Sequence, residues 1–302
     1  PTSKIAVFFF FLYLNSALDP RPKFHFYHTE IGIITGIAWD HINVFPTYEN
    51  YVEQFEIFIG KITNGGILVY NEEDAEVKRV SKEATNPIRK LPYHTPKYTV
   101  SNGVTLLETP EGDMPIEVFG AHNLNNLAGA KWICQNMGVD EAEFYEAIAS
   151  FKGASKRLEK IAESKTKVAY KDFAHSPSKV AATTKAVKEQ YPNRTLIACL
   201  ELHTYSSLNA AFLKEYEGAL EYADKAVVFY SPDAVKIKKL DEVSYDQIAA
   251  AFNRKDLIIY TNPIEFKDFL FKQDFDNSAL LLMSSGNYGG LNFDEVKGLI
   301  LD

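Results

Sequence analysis

An aspartate and a histidine lie three residues apart in the segment 171–177, and both residue types can bind ligands or move protons. Asp172 and His175 follow a short apolar run that predicts a β-strand, and they precede a pattern with helical spacing. Ser176 is typical of a helix N-cap, and Pro177 is typical of a first helical residue. Unpaired N–H groups and the dipole at a helix start favour phosphate. The segment therefore predicts a ligand site, with simple capping as the alternative.

Polar residues also follow two other apolar runs in the second half of the chain. His203 and Ser206 follow the run 196–201, and the segment 284–290 follows the run 279–283. Open α/β sheets bind ligands at the carboxyl ends of their strands, so three such ends would form one site. The candidate residues of the last segment are Ser284, Ser285, Gly286 and Asn287. A plain turn at its two final glycines is the alternative.

The first half of the chain and the segment after it carry further candidates. His41 follows the apolar run 31–35 and could ligate a metal or act as an acid or base, with capping as the alternative. Asn123 and Asn126 lie three apart at the start of a helical pattern and share one face, where they could bind a base or cap the helix. Arg157 is exposed by default, and a solvated charge is its alternative role.

The order of the predicted strands and helices that position these residues changes near residue 152. The first half is mixed α/β, with a hairpin at 104–119. Beyond that point strands and helices alternate, which predicts βαβ units and a mainly parallel sheet. The predicted strands lie at 167–170, 196–201, 226–230, 257–260 and 279–283, and the helices at 176–190, 207–222, 245–252 and 263–271. The sequence thus predicts an α/β protein with two domains.

The composition narrows the function classes. With 302 residues, 46% hydrophobic and 24% charged, the chain is typical of globular proteins. A net charge of −8 argues against nucleic acid as a partner. Cys134 and Cys199 lie in apolar runs and are predicted to be buried thiols. The apolar run 5–14 is too short to span a bilayer and predicts a buried strand, so we expect no membrane partner and a cytoplasmic location.

Five segments taken together resemble the Mur ligase family, the ATP-dependent amide-forming enzymes of peptidoglycan synthesis. They follow the family's order over almost the whole chain and lie at 34–41 (ITGIAWDH), 120–126 (GAHNLNN), 151–159 (FKGASKRLE), 172–177 (DFAHSP) and 202–206 (LHTYS). Segments 39–55 and 283–290 resemble the branch that attaches a peptide to UDP-N-acetylmuramate in cell-wall recycling. The branch that adds L-alanine in biosynthesis is the first alternative, and chemistry like that of folylpolyglutamate synthase fits the motifs less well.

The resemblance implies a fold, a reaction and a set of ligands. Residues 1–152 would be an N-terminally incomplete central ATP-binding domain, and residues 153–302 a Rossmann-like C-terminal domain. ATP would phosphorylate the lactyl carboxylate of UDP-N-acetylmuramate, and the acceptor amine would attack the acyl phosphate. Mg²⁺ would offset the phosphate charge. These properties imply a cytoplasmic ligase of cell-wall biogenesis whose partners are UDP-N-acetylmuramate and a peptide or amino acid.

The resemblance also implies a role for each candidate residue. His41 would be the magnesium ligand. The nucleotide would be contacted by His122, Asn123, Asn126, Arg157, Asp172 and His175, and Arg157, Asp172 and His175 would form the catalytic set. The incoming peptide would be contacted by His203, Ser206, Ser284, Ser285, Gly286 and Asn287.

The sequence departs from the family at several positions. It has no GxxxxGK[ST] phosphate loop, and the apolar run 8–12 stands where the family has an acidic Mg²⁺-binding segment. Gly36 and Ser176 replace an asparagine and a second histidine of the family. These departures predict that the chain is the C-terminal two thirds of a ligase. They also predict that this chain does not turn over ATP by itself. A non-catalytic binding module is the alternative from another function class.

Overall fold

The structure is a computed structural model that describes residues 14–16, 19–241 and 243–302. The chain forms two compact units. The first contains the residues up to His94 together with Ala128–Gly138, and the second contains Thr95–Leu127 and Val139–Asp302. The domain boundary at residue 152 stays a prediction. The strand predicted at 5–14 lies outside the described residues except for Leu14.

The first unit is built around a small parallel sheet. Its elements are β1 (Leu14–Ser16), β2 (Asp19–Pro22), a 3-10 turn (Lys23–Phe26), β3 (Ile31–Ile34), α1 (Tyr48–Gly60), β4 (Ile67–Asn71), α2 (Ala75–Glu83) and β5 (Arg89–Tyr93). Strands β3, β4 and β5 pair in parallel in that order. Both helices begin at side-chain caps, since Thr47 accepts from Asn50 N–H and Asp74 accepts from Val77 N–H.

The second unit begins with a three-stranded antiparallel sheet and two helices. These elements are β6 (Tyr98–Ser101), β7 (Val104–Thr109), β8 (Gly112–Ile116), α3 (Ala121–Asn136) and α4 (Glu141–Ala149). Helix α3 contributes residues to both units. The strands β7 and β8 confirm the hairpin predicted at 104–119. A capping box formed by Asp140 and Glu143 starts α4.

A six-stranded sheet dominates the rest of the second unit. Its elements are β9 (Glu159–Glu163), β10 (Lys167–Asp172), α5 (Pro177–Gln190), β11 (Thr195–Leu202), α6 (Ala210–Leu213), β12 (Lys225–Tyr230), α7 (Pro232–Ile237), α8 (Tyr245–Phe252), β13 (Ile258–Tyr260), α9 (Pro263–Phe271), β14 (Ser278–Met283) and α10 (Phe293–Leu301). The strand order is β13-β12-β11-β14-β10-β9, and every neighbouring pair is parallel except β9 with β10. The predicted mainly parallel sheet is therefore confirmed.

The helix predicted at 207–222 is wrong. The chain instead forms a 3-10 turn (Ser206–Leu208), the single turn α6 and a second 3-10 turn (Lys214–Tyr216). Asn209 interrupts the helix because its side chain caps α6 by accepting from Ala211 N–H. The Ser207 hydroxyl accepts from Thr204 N–H at 2.9 Å, which also competes with helical bonding.

The apolar character of the central strands fixes the core of the second unit. Buried side chains from β11, β12 and β14, which include Ile197, Val227, Phe229 and Leu280, pack against Phe266 of α9 and Val296 of α10. Parallel strands covered on both faces need such continuous apolar runs. None of the helices in the described part of the chain combines the length and apolar character that a membrane crossing requires.

Candidate functional site

The carboxyl edge of the six-stranded sheet brings three predicted strand ends together. Strand β14 lies between β10 and β11, and Met283 is in register with both Asp172 and Leu200. Beyond that point, Ser284 N–H donates to the Asp172 carbonyl oxygen at 2.9 Å. The segments that follow the three strands therefore start side by side, which is where open α/β sheets place their ligands.

Glu201, the penultimate residue of β11, organises this edge. Its side chain is 3% exposed, yet its carboxylate is well paired. The Ser284 hydroxyl donates to Glu201 Oε2, and Tyr288 N–H donates to the same oxygen at 2.8 Å. Gly286 N–H donates to Ser284 Oγ at 2.7 Å. A buried carboxylate requires such donors, and here they close the loop after β14 onto β11.

His203 lies on the open side of Glu201. Its Nδ1 is 3.6 Å from Glu201 Oε1, and its side chain is 41% exposed. Gly286 permits this arrangement, because a Cβ there would lie 2.9 Å from Glu201 Oε2 and 3.0 Å from the His203 ring. The residues His203, Ser284 and Gly286, which were selected from the sequence, thus share one site with Glu201.

The other predicted acceptor-binding residues differ in their accessibility. Asn287 is exposed at the tip of the loop. Ser285 Oγ is buried and has no hydrogen-bond partner in the described part of the chain, so it is a candidate ligand contact. Ser206 is 4% exposed in its 3-10 turn.

Asp172 points into the protein, where it holds the segment that carries Arg157. Its carboxylate accepts from Leu158 N–H at 2.7 Å and from Ala174 N–H at 2.6 Å. Phe173 N–H donates to the Lys156 carbonyl at 2.9 Å. Burial raises the pKa of the Asp172 carboxyl, while the two backbone donors oppose that shift. Asp172 therefore positions Arg157, whose side chain is exposed.

The segment around Arg157 is held in a strained backbone conformation. Lys156 and Leu158 have φ of 57° and 44°, which side-chain-bearing residues rarely adopt. Lys156 N–H donates to Glu159 Oε2 at 2.8 Å, and Leu158 is anchored by Asp172. Such strain persists only where surrounding contacts impose it, so the geometry of this segment is a built feature of the unit.

His175 and Ser176 occupy the predicted turn at the start of α5. His175 is 8% exposed, and its Nδ1 lies 2.7 Å from the Phe173 carbonyl oxygen. A carbonyl can only accept, so Nδ1 carries the proton and Nε2 is the basic nitrogen of the neutral ring. Tyr216 O–H donates to the His175 carbonyl. Ser176 is the N-cap and Pro177 begins the helix, although the Ser176 side chain makes no capping hydrogen bond.

The start of α3 places a neutral histidine near Arg157. Burial, together with the Arg157 charge, lowers the pKa of His122 to about 4. The Asn123 side chain is bonded to the turn before the helix, because its Nδ2 donates to the Phe119 carbonyl at 3.0 Å. Asn126 is exposed, while the neighbouring Asn125 is buried and donates to Thr95 Oγ1 at 3.2 Å. The sequence did not single out Asn125, because spacing alone does not reveal which asparagine faces inwards.

A cavity of about 900 Å³ opens in the second unit beside these residues. Its lining includes Asn123, Lys152, Arg157, Tyr170, Tyr191 and Arg194. Guanidinium and ammonium groups bind phosphate, and Arg can do so with two N–H donors at once. The donor set and volume fit an anionic ligand of nucleotide size.

His41 lies in the first unit, just beyond β3. Its φ is 56°, and its own N–H donates to Asp40 Oδ1 at 2.7 Å. His41 Nε2 lies 3.9 Å from Asp40 Oδ2. Within the described ranges, no three His, Cys, Asp or Glu side chains cluster closely enough to hold a metal. Mg²⁺ is usually held by one or two protein oxygens together with water and substrate phosphates, so the role of His41 as a magnesium ligand stays a prediction.

Comparison with known proteins gives this architecture its class. Residues 21–134 match the family model of the Mur ligase middle domain. A UDP-N-acetylmuramate–L-alanine ligase of Caldicellulosiruptor bescii is 28% identical over 228 residues, which are 72% of this chain and 48% of that protein. A Streptococcus pneumoniae enzyme of the same name is 27% identical over 274 residues, which are 86% of this chain and 59% of the relative. The chain spans about half to three fifths of these relatives.

Solved structures share the fold over nearly the whole chain. The UDP-N-acetylmuramate–alanine ligase MurC of Thermotoga maritima has a TM-score of 0.61 at 17% identity and covers 92% of this chain and 60% of its own. A murein peptide ligase of Psychrobacter arcticus has a TM-score of 0.60 at 17% identity, covering 94% and 60%. MurF of Thermotoga maritima in complex with ADP has a TM-score of 0.62 at 17% identity, covering 90% and 61%. Residues 21–134 therefore match the Mur ligase middle domain, and the chain shares the α/β fold of these solved structures, as predicted.

Proposed function

We propose that this chain is the nucleotide-binding and acceptor-binding portion of an ATP-dependent ligase that forms an amide on UDP-N-acetylmuramate. The middle-domain match and the curated relatives support the reaction class. The observation that carries the proposal is the carboxyl edge of the large sheet, where Glu201, His203 and Ser284 meet beside the segment held by Asp172. A substrate amine and an activated carboxylate have to be brought together at such an edge.

Nucleotide binding is assigned to the cavity beside Arg157. ATP would supply the phosphoryl group that turns the lactyl carboxylate into an acyl phosphate. Arg157 and Lys152, which line the cavity, would offset the phosphate charge. Asn126 is exposed but does not line the cavity, and its contact with the base stays a prediction. Asp172 keeps the Arg157 segment in place through backbone contacts. His175 offers a basic Nε2 at the strand-to-helix turn, where α5 presents its N–H groups.

No step of the proposal depends on a magnesium ion held by the described residues alone. His41 remains a predicted ligand, and its neighbour Asp40 is engaged by the His41 backbone. We also propose that the 302 residues do not turn over ATP by themselves, because their sequence has no GxxxxGK[ST] loop.

Two acceptors are proposed, each on its own observation. The peptide L-Ala-γ-D-Glu-meso-diaminopimelate is supported by the resemblance of segments 39–55 and 283–290 to the recycling branch. L-Alanine is supported by the names of the curated relatives. Both reactions use the same donor and the same acyl-phosphate chemistry, so they differ only in what the loop after β14 must recognise.

The test is phosphate release by the full-length product of the gene that encodes this chain. The protein is incubated with UDP-N-acetylmuramate, ATP and Mg²⁺, with L-alanine in one reaction and the tripeptide in another. Release that requires the donor and one acceptor supports the proposal and identifies the acceptor. The 302-residue chain is assayed in parallel and is expected to be silent. Silence of the full-length protein with both acceptors would contradict the proposed function and favour a non-catalytic binding module.

A further inference from the structure

We propose that His203 accepts the proton of the acceptor's ammonium group and that Glu201 positions its imidazole for that step. The inference rests on the proposed ligase function and assigns a catalytic role within it. An ammonium group has no lone pair, so the acceptor must lose a proton before it can attack the acyl phosphate. A side chain at the carboxyl edge of the sheet has to receive that proton or pass it to water.

The geometry makes His203 the exposed member of a carboxylate–imidazole pair. Glu201 Oε1 lies 3.6 Å from His203 Nδ1, which is too long for a hydrogen bond but within ion-pair range. Catalytic hydrogen bonds often tighten only when the substrate is bound. A carboxylate on Nδ1 favours the tautomer with its proton there, so the lone pair lies on Nε2. The 41% exposure of the His203 side chain leaves it accessible to a ligand.

The contacts around Glu201 explain why it can act as a fixed support. Ser284 O–H and Tyr288 N–H both hold Oε2, so the carboxylate cannot rotate freely. Tyr288 is itself anchored, because its hydroxyl lies 2.7 Å from the Cys199 carbonyl and 2.8 Å from the Met283 carbonyl. These contacts leave Oε1 on the side of His203. An anchored second residue is what a base requires to keep its orientation.

The neighbouring groups are less suited to receive the proton. Glu201 is 3% exposed, and the Ser284 hydroxyl is committed to donating to it. The other histidines of the second unit are His122, whose pKa is lowered to about 4, and His175, which is 8% exposed. Among the described neighbours of His203, Glu201 supplies the charge from β11, and the loop after β14 supplies the uncharged Gly286.

The step balances as an ordinary proton transfer followed by acyl transfer. The ammonium N–H bond breaks, the proton binds His203 Nε2, and the electron pair stays on nitrogen. That pair then forms the C–N bond at the acyl phosphate carbon. The C–O bond to phosphate breaks, and the phosphate leaves with its electrons and takes up the second amine proton. Imidazolium then returns the first proton to water.

The test uses the full-length protein with saturating ATP and donor, and it varies acceptor concentration and pH. We expect His203→Ala to lower kcat about 10²- to 10⁴-fold, the usual contribution of a general base. Added imidazole should restore part of the rate. The rate that remains in His203→Ala should rise about tenfold for each pH unit up to the pKa of the acceptor amine. The variant then depends on acceptor molecules that have already lost their proton in solution. Glu201→Gln should lower kcat by a smaller factor. It should also weaken the signal of the Nδ1–H tautomer of His203 in ¹⁵N spectra of the imidazole.

The matched control is His28→Ala, which removes an exposed histidine of the first unit. It should leave the rate and its pH dependence unchanged. A His203→Ala loss that appears only in KM and is not rescued by imidazole or high pH would overturn the proton-acceptor role. So would an unchanged rate. If the unmodified protein releases no phosphate with either acceptor, the proposed function fails first, and this role fails with it.

Discussion

Replacing Asp172 should loosen the segment that presents Arg157. The carboxylate accepts from Leu158 N–H at 2.7 Å and Ala174 N–H at 2.6 Å. Hydrogen bonds to a charged acceptor contribute about 1.5–3 kcal/mol each. Asn keeps one acceptor oxygen and removes the cost of burying a charge, so we expect Asp172→Asn to cost about 1–2 kcal/mol. Ala leaves both donors unpaired, and Asp172→Ala should cost about 2–4 kcal/mol.

The backbone beside Arg157 should also open more readily in the variant, because it is strained. Residues with side chains pay about 1–2 kcal/mol for a left-handed conformation, and Lys156 and Leu158 both adopt it. Without the bond to Asp172, the segment should relax towards ordinary dihedral angles. The loss of about 1.5–3 kcal/mol corresponds to roughly 10- to 100-fold faster exchange of the Leu158 amide hydrogen.

The assay combines urea unfolding with residue-resolved hydrogen exchange. Asp224→Asn is the matched control, because Asp224 also accepts from a backbone group, Leu196 N–H at 2.7 Å, on another part of the sheet. The control should leave Leu158 exchange unchanged. If Leu158 in Asp172→Ala exchanges as slowly as in the unmodified protein, Asp172 does not hold the Arg157 segment.

The same variant carries a pH signature. Burial raises the pKa of Asp172 in the folded state above its unfolded value. The unfolded state then loses its proton first as pH rises, so the ionisation lowers stability between the unfolded pKa and the folded pKa. Asp172→Asn should lack that decrease in the free energy of unfolding. An identical pH profile in both proteins would contradict the assigned cause.

Three further outcomes follow from the second unit and from the two cysteines. The pKa of His122 is lowered to about 4 in the folded state, so the free energy of unfolding should decrease as pH falls from about 6.5 towards 4. His122→Gln should lack this decrease. Gly120→Ala should lower the free energy of unfolding by more than about 2 kcal/mol, because a Cβ there would lie 2.4 Å from a neighbouring Cβ. Gly218→Ala is the control in the same denaturation assay, because Gly218 also has a positive φ but a Cβ there would meet no neighbour, so only the backbone cost remains. Cys199 is fully buried and burial raises its pKa, so a thiol reagent should label Cys134 first and Cys199 only on unfolding.

The parallel sheet could be predicted because its central strands are short apolar runs between turn signals. The strand at Lys167–Asp172 and the helix that begins at Pro177 follow the local chemistry of their residues. Edge strands were missed, because β5 (Arg89–Tyr93) and β9 (Glu159–Glu163) carry charges on exposed sides. Their position is decided by pairing with a distant strand, which the sequence does not display.

The site could be predicted only in part, for a similar reason. His203 and Gly286 stand out because polar and glycine residues follow apolar runs. Glu201 organises the site by accepting hydrogen bonds from Ser284 and Tyr288, which are more than 80 residues away in the sequence. One signal was available, because a carboxylate inside an apolar strand must find donors. Likewise, the nucleotide contact of Asp172 stays a prediction, and only the contacts in the structure reveal that Asp172 holds a backbone segment.

The central claim, an acyl-phosphate ligase, is tested most directly by isotope transfer. UDP-N-acetylmuramate labelled with ¹⁸O in its lactyl carboxylate is incubated with ATP, Mg²⁺, acceptor and the full-length protein, and the released phosphate is examined by mass spectrometry. The account predicts one ¹⁸O atom in each phosphate, because the carboxylate oxygen leaves with the phosphoryl group when the amine attacks. Phosphate released without the label, or no phosphate with either acceptor, would contradict it.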